Sequence, residues 1–171
     1  PVVQASAHYT WGHFVEFGME GDADPFTGRG WSAPLANSQW TDGKQAHLRF
    51  QVPAPGENVE LLFALRPFVA PGKLDRQRLR ILVNDRELKI LELTDQQANR
   101  YMLTIPGFFL QTDEIRITFD LPDAAVPAEL GAGADQRMLG VSVLTVCMFP
   151  QSMTDEILEK MTTPPSAGGG D

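Results

Sequence analysis

Residues 45–52 (QAHLRFQV) alternate: Ala46, Leu48, Phe50 and Val52 fall on one face, His47, Arg49 and Gln51 on the other. Successive side chains of a strand point to opposite sides of the sheet, so a period of two predicts a strand buried on one face. Residues 114–121 (EIRITFDL) repeat the pattern, with Ile115, Ile117, Phe119 and Leu121 against Arg116, Thr118 and Asp120. Residues 59–65 (VELLFAL) and 137–149 (RMLGVSVLTVCMF) are apolar on nearly both faces, as in strands covered on both sides. Residues 100–105 (RYMLTI) alternate and stop at Pro106-Gly107. Residues 12–19 (GHFVEFGM) predict a further strand, with Val15, Phe17 and Met19 sharing a face.

Turn residues punctuate these segments. Residues 78–91 (RLRILVNDRELKIL) predict a hairpin whose turn is Asn84-Asp85, since both residue types tolerate the positive φ of a type I′ turn. Leu79, Ile81 and Val83 form the apolar face of its first strand, and Leu88 and Ile90 that of the second. PAPGEN and the longer RPFVAPGKLDRQ and PDAAVPAELGAGADQ are loops. The sum is an all-β chain, a jelly-roll-like antiparallel β-sandwich of about eight or nine strands. One short helix is predicted at 154–161 (TDEILEKM), capped by Thr154, with Asp155 and Glu156 in its first turn and Ile157 and Met161 docking it. The expected organisation is a sandwich domain over 1–150, a short helix over 151–162 and a disordered tail over 163–171.

Charge narrows the function classes. With 22 acidic against 14 basic residues, the net charge is −8, which disfavours non-specific nucleic-acid binding and docking on anionic lipid. The basic run at 73–80 (KLDRQRLR) reads as a solvated strand and loop. No stretch approaches the roughly 20 apolar residues of a membrane span, so no direct membrane insertion is expected. The chain starts at Pro1 without a signal-peptide pattern. As a complete chain it is expected in the cytoplasm; as a fragment of a larger protein, in the periplasm or outside the cell.

Little in the sequence suggests catalysis, and the chain is expected not to be an enzyme. The single cysteine, Cys147, sits in an apolar strand and is expected to be a buried core residue. His8, His13 and His47 fall in no zinc-binding spacing. Glu20, Asp22 and Asp24 in the loop MEGDADPF could offer oxygens to calcium, but such loops are commonly plain turns. No metal or cofactor is expected. No nucleophile elbow or phosphate-cradling loop is present.

Tryptophans carry the remaining candidate chemistry. Trp31 and Trp40 bracket a polar loop that holds Asn37, Ser38 and Gln39, with Thr41 and Asp42 just beyond. An exposed indole can stack on the C–H face of a sugar while side-chain amides and carboxylates hold its hydroxyls. Either ring could instead close the end of the core. Trp40, just before a strand, is expected to plug the core, and Trp31 to face a ligand. Arg137 stands two residues after Asp135, forming either a structural ion pair or a contact for an anionic sugar. The candidate ligand-binding set is Trp31, Asn37, Gln39, Trp40, Asp42 and Arg137.

The order of several short motifs resembles a family of bacterial, carbohydrate-binding-module-like β-sandwich domains found appended to membrane glycosyltransferases and phosphoglycerol transferases. The matching residues are Gly30 to Pro34, Trp40 to Gly43, Val83 to Asp85, Ile105-Pro106, Ile117 to Ala124 and Asp135 to Gly140, spanning roughly residues 9–149. The resemblance implies a non-catalytic accessory module in bacterial surface-polysaccharide (exopolysaccharide) synthesis or modification. Its partners would be a polysaccharide or oligosaccharide and a glycosyltransferase. One departure stands out: Leu35 lies where the family carries an acidic residue. Together with the apolar PFVAP loop, it motivates the alternative of a protein-interaction subunit that docks on a glycosyltransferase or self-assembles, with no sugar site.

Overall fold

Alternating segments become strands wherever they were expected, and two short strands appear where no pattern announced them. The computed structural model describes residues 7–162, so the expected disordered tail lies outside the described residues. The strands are β1 (Ala7–His8), β2 (Val15–Glu16), β3 (Gln39–Asp42), β4 (Gln45–Gln51), β5 (Val59–Pro67), β6 (Gln77–Val83), β7 (Arg86–Leu93), β8 (Asn99–Ile105), β9 (Glu114–Asp120) and β10 (Leu139–Pro150), followed by the helix α1 (Thr154–Thr162). The first sheet has the order β1-β4-β9-β6-β7, and the second β2-β10-β5-β8. Long β10 pairs with β5 along one edge, and along the other with β3 in its first half and β2 further on. Only β1 and β4 pair in parallel among the described residues. This is a β-sandwich of the expected class.

The core lies between the sheets. The first sheet contributes Leu48, Phe50, Leu79, Ile81, Ile117 and Phe119, and the second Leu61, Phe63, Leu65, Val141, Val143 and Met148. All are buried. A second apolar cluster lies on the outer face of the second sheet, where Ile157 of α1 packs with Leu62, Cys147 and Phe149. Burial pushes the Cys147 thiol up to about 11, the behaviour of an inert core cysteine.

Four local expectations fail, each for a physical reason. Val15 and Phe17 are buried, but Met19 is 72% exposed. The chain leaves the strand at Gly18, where a Cβ would lie 2.6 Å from the Ala36 carbonyl oxygen, and it turns back through the Asp22 N–H to Glu16 C=O bond. The Asn84-Asp85 turn forms with both φ positive, and Leu88 packs against the core as expected, yet Ile90 does not follow it inward. A bulge between Ile81 and Leu82 skips Leu88, as extra residues in bulges do. Inward positions thus fall at Leu88, Leu91 and Leu93, and Ile90 faces out, 54% exposed. Thr154 does not cap α1; its hydroxyl donates to the Gln151 carbonyl because a 3-10 turn at Gln151–Met153 runs straight into the helix. Finally, residues 39–42, expected as loop, form β3.

If the bulge sets the register, Leu93→Ala should cost about 2–5 kcal/mol, as for other buried leucines. Ile90→Ala should stay within about 0.5 kcal/mol. Chemical denaturation of both variants checks this.

Candidate functional site

A sheet strand that is apolar on both faces needs cover on both. Here α1 covers only the part of the second sheet's outer face around Leu62, Cys147 and Phe149. The far end is covered by side chains of the sheet itself. Trp40 of β3, Ser142 of β10 and Arg66 of β5 stand side by side in the ladders. The Arg66 guanidinium reaches across to lie 5.2 Å from the centre of the Trp40 ring, and Ser142 is fully buried beneath them.

Between helix and cation–π pair lies a depression of about 410 Å³. Ala64 and Thr145 form its floor, and Phe14, Asn37, Asn99 and Arg100 its sides. Its shape follows from a bulge in β10, where the register against β5 shifts between Val143 and Thr145. The Ser142 and Thr145 hydroxyls are buried without a hydrogen-bond partner among the described residues, which is uncommon in folded proteins. Neither Arg66 nor Arg100 has a carboxylate partner among them, so their donors are not used internally. In volume and lining the depression fits a small-ligand site: an apolar floor with a few polar groups at the rim.

Glu16 and Asn37 carry the depression on towards the Gly18–Gly21 turn. Burial raises the Glu16 carboxyl above its usual range, and neighbouring Asp22 raises it further. Partial burial also pushes Asp22 up, but the Glu16 N–H and the His13 ring outweigh it and hold the carboxyl low. Asp22 therefore ties down the turn, while Asp24 and Glu20 remain exposed. No three His, Cys, Asp or Glu side chains converge as metal ligands among the described residues.

The six expected ligand residues separate into three groups. Asn37 and Trp40 lie on the open face. Trp31 and Gln39 point inward. The Trp31 ring packs against Phe17 and Phe119, with centroids at 5.4 and 6.3 Å, and its Nε1 donates to the His47 carbonyl at 2.9 Å. Gln39 is buried and donates to the Ser32 carbonyl at 2.8 Å. Asp42 and Arg137 tie loops together. Asp42 accepts from the Met138 N–H at 3.0 Å, and Arg137 donates to the Ser32 hydroxyl at 2.8 Å. Arg137 also forks onto Asp135, 2.7 Å at its nearest. The Arg137 side chain, then its backbone N–H, holds the Asp135 carboxyl at about 2.

The roles expected of the two tryptophans are thus exchanged: Trp31 is the plug and Trp40 the outward ring. Pairing with β10 turns Thr41 inward and Trp40 outward, and residues 39–42 carry that period of two once they are taken as a strand. Arg66 and Arg100 were missed. Their signal was position, since each sits at an outward register of a strand whose other face is core.

No family model matches this chain, and no curated protein matches it. Solved structures do. The xylan-binding domain CBM22-1 of Paenibacillus barcinonensis Xyn10C superposes with a TM-score of 0.54 at 12% identity, over 85% of this chain and 97% of that one. A family 35 carbohydrate binding module from Clostridium thermocellum aligns over 81% of this chain and 98% of its own, at 13% identity and a TM-score of 0.43. The fold is therefore the β-sandwich seen in carbohydrate-binding modules.

Trp31→Ala should destabilise the protein by about 3–5 kcal/mol, the cost of truncating a core aromatic. Trp40→Ala should cost about 1 kcal/mol, the scale of a cation–π contact. Thermal unfolding distinguishes them. Asp135, with its carboxyl held low, should favour the folded state above its ordinary value of about 3.9, and that contribution should vanish as pH falls towards about 2. An acid titration of stability should lose this component in Asp135→Asn.

Proposed function

We propose that this chain is a non-catalytic carbohydrate-binding module whose ligand lies along the open part of the second sheet's outer face. The observation that carries this is the depression between α1 and the Trp40–Arg66 pair, with Ala64 and Leu144 among its apolar lining and Asn37, Asn99 and Arg100 as its polar groups. A polysaccharide is itself two-sided, with C–H faces and ring hydroxyls, and such a surface answers both. The likeness in fold to a xylan-binding domain supports the same reading. From the motif resemblance, the ligand is a bacterial surface polysaccharide or an oligosaccharide of it, held for a partner glycosyltransferase.

A second reading has its own observation. Met19 and Leu35 are both exposed, and the Met19 N–H donates to the Leu35 carbonyl at 2.8 Å, so two exposed apolar residues lie on adjacent segments of the surface. Such a surface suits docking on a glycosyltransferase or self-association, and it includes the position where the resembled family carries an acid.

Titration of tryptophan fluorescence against a panel of bacterial exopolysaccharides and their oligomers tests the first reading. Saturable binding is expected. Trp40→Ala and Arg100→Ala should each weaken it at least tenfold, or about 1.4 kcal/mol, while remaining folded. Silence across the panel, with a partner recovered through the Met19–Leu35 surface, would favour the second.

A further inference from the structure

The opposite face of the sandwich breaks a rule of sheet pairing. On the outer side of the first sheet, Arg49 of β4 lies directly across from Arg116 of β9. Like charges in opposed positions of a ladder destabilise it. Glu114 relieves part of the repulsion, 3.3 Å from Arg49 and 3.5 Å from Arg116, and Asp85 takes Arg116 at 3.0 Å. The relief is incomplete. The Nε of Arg49 is buried with no hydrogen-bond partner, and a third cation, Arg29, stands at the same depression without an ion pair among the described residues. His47 and Thr118 complete the lining of this depression, which measures about 500 Å³.

Arg29 is there because of a clamp. The His47 carbonyl accepts both the Gly28 N–H at 2.8 Å and the Trp31 Nε1–H at 2.9 Å. The His47 N–H donates to the Arg29 carbonyl at 3.0 Å. Gly30, at φ +92°, passes so close to β4 that a Cβ would fall 1.9 Å from the Gln45 oxygen. Segment 28–31 is thereby fixed as the wall of a pocket whose lining brings three arginines together with two carboxylates. Departures from local rules concentrate at functional or strained sites. Planar guanidinium forks match the paired oxygens of a carboxylate or phosphate.

We propose that the Arg29–Arg49–Arg116 pocket is a second binding site, on the opposite sheet from the groove, for an oxyanion carried by the ligand: the carboxylate of an acidic sugar or a phosphate substituent. Such a module would hold a charged polymer on one face and sugar rings on the other. The site stands independently of the sugar reading of the groove.

The test follows arginine Nε–Hε NMR resonances of the isotope-labelled chain during titration with galacturonate, glycerol 1-phosphate and galactose. A saturable shift of the Arg49 resonance is expected with one or both anions and none with galactose. The stronger anion identifies carboxylate or phosphate. Arg29→Ala, which removes no internal ion pair, should weaken that binding at least about tenfold, and Trp40→Ala should leave it unchanged. No shift with either anion, or a shift that survives Arg29→Ala intact, overturns the proposal. Neither result bears on fluorescence binding at the groove, so the two sites fail or stand separately.

Discussion

Strand β10 is apolar on both faces over nearly its whole length, and the rest of the second sheet is arranged around covering it. Its inner residues, Val141, Val143 and Met148, close the core against the first sheet. Its outer residues require separate cover. The chain provides α1 over Cys147 and Phe149 and the Trp40–Arg66 pair over Ser142. The stretch between the two covers, at the Leu144–Thr145 bulge, is what remains as a groove. The candidate site is therefore a gap in the covering of a two-faced strand.

A second arrangement depends on His47. Its backbone carbonyl holds both Gly28 and the Trp31 indole, so one peptide group fixes the plug at the end of the core and the wall of the arginine pocket. Trp31 acts at both levels. Its ring fills the space beside Phe17 and Phe119, and its N–H anchors the segment that carries Arg29. Both candidate sites thus rest on backbone geometry that would change if this ring were lost, although the ring itself packs against the core.

Much of the fold was legible because half-buried strands report themselves locally. Ala46, Leu48 and Phe50, or Ile115, Ile117 and Phe119, point inward wherever the strand is placed, since period two is a property of the chain alone. The Asn84-Asp85 turn was legible for the same reason: positive φ is a local demand. What was not legible depended on a partner. The bulge that turns Ile90 outward exists only against β6. β3 is four residues long and becomes a strand only along β10. The candidate site was half visible: Asn37 and Trp40 were named, while Arg66, Arg100 and Arg29 owe their placement to strand register and loop closure.

The sequence by itself determined which segments are strands, which faces of them are apolar, that the chain folds as an all-β sandwich, and that Cys147 belongs to a core. These follow from side-chain alternation and turn chemistry, which act over a few residues. Only the tertiary structure decided which of these tryptophans packs against the core. Trp31 and Trp40 are the same residue type in similarly polar surroundings. Their difference comes from contacts far along the chain: Trp31 with Phe119 and the His47 carbonyl, Trp40 with Ser142 and Arg66. Burial of a side chain is a property of what packs against it, and for these two rings that partner is set by the pairing of distant strands.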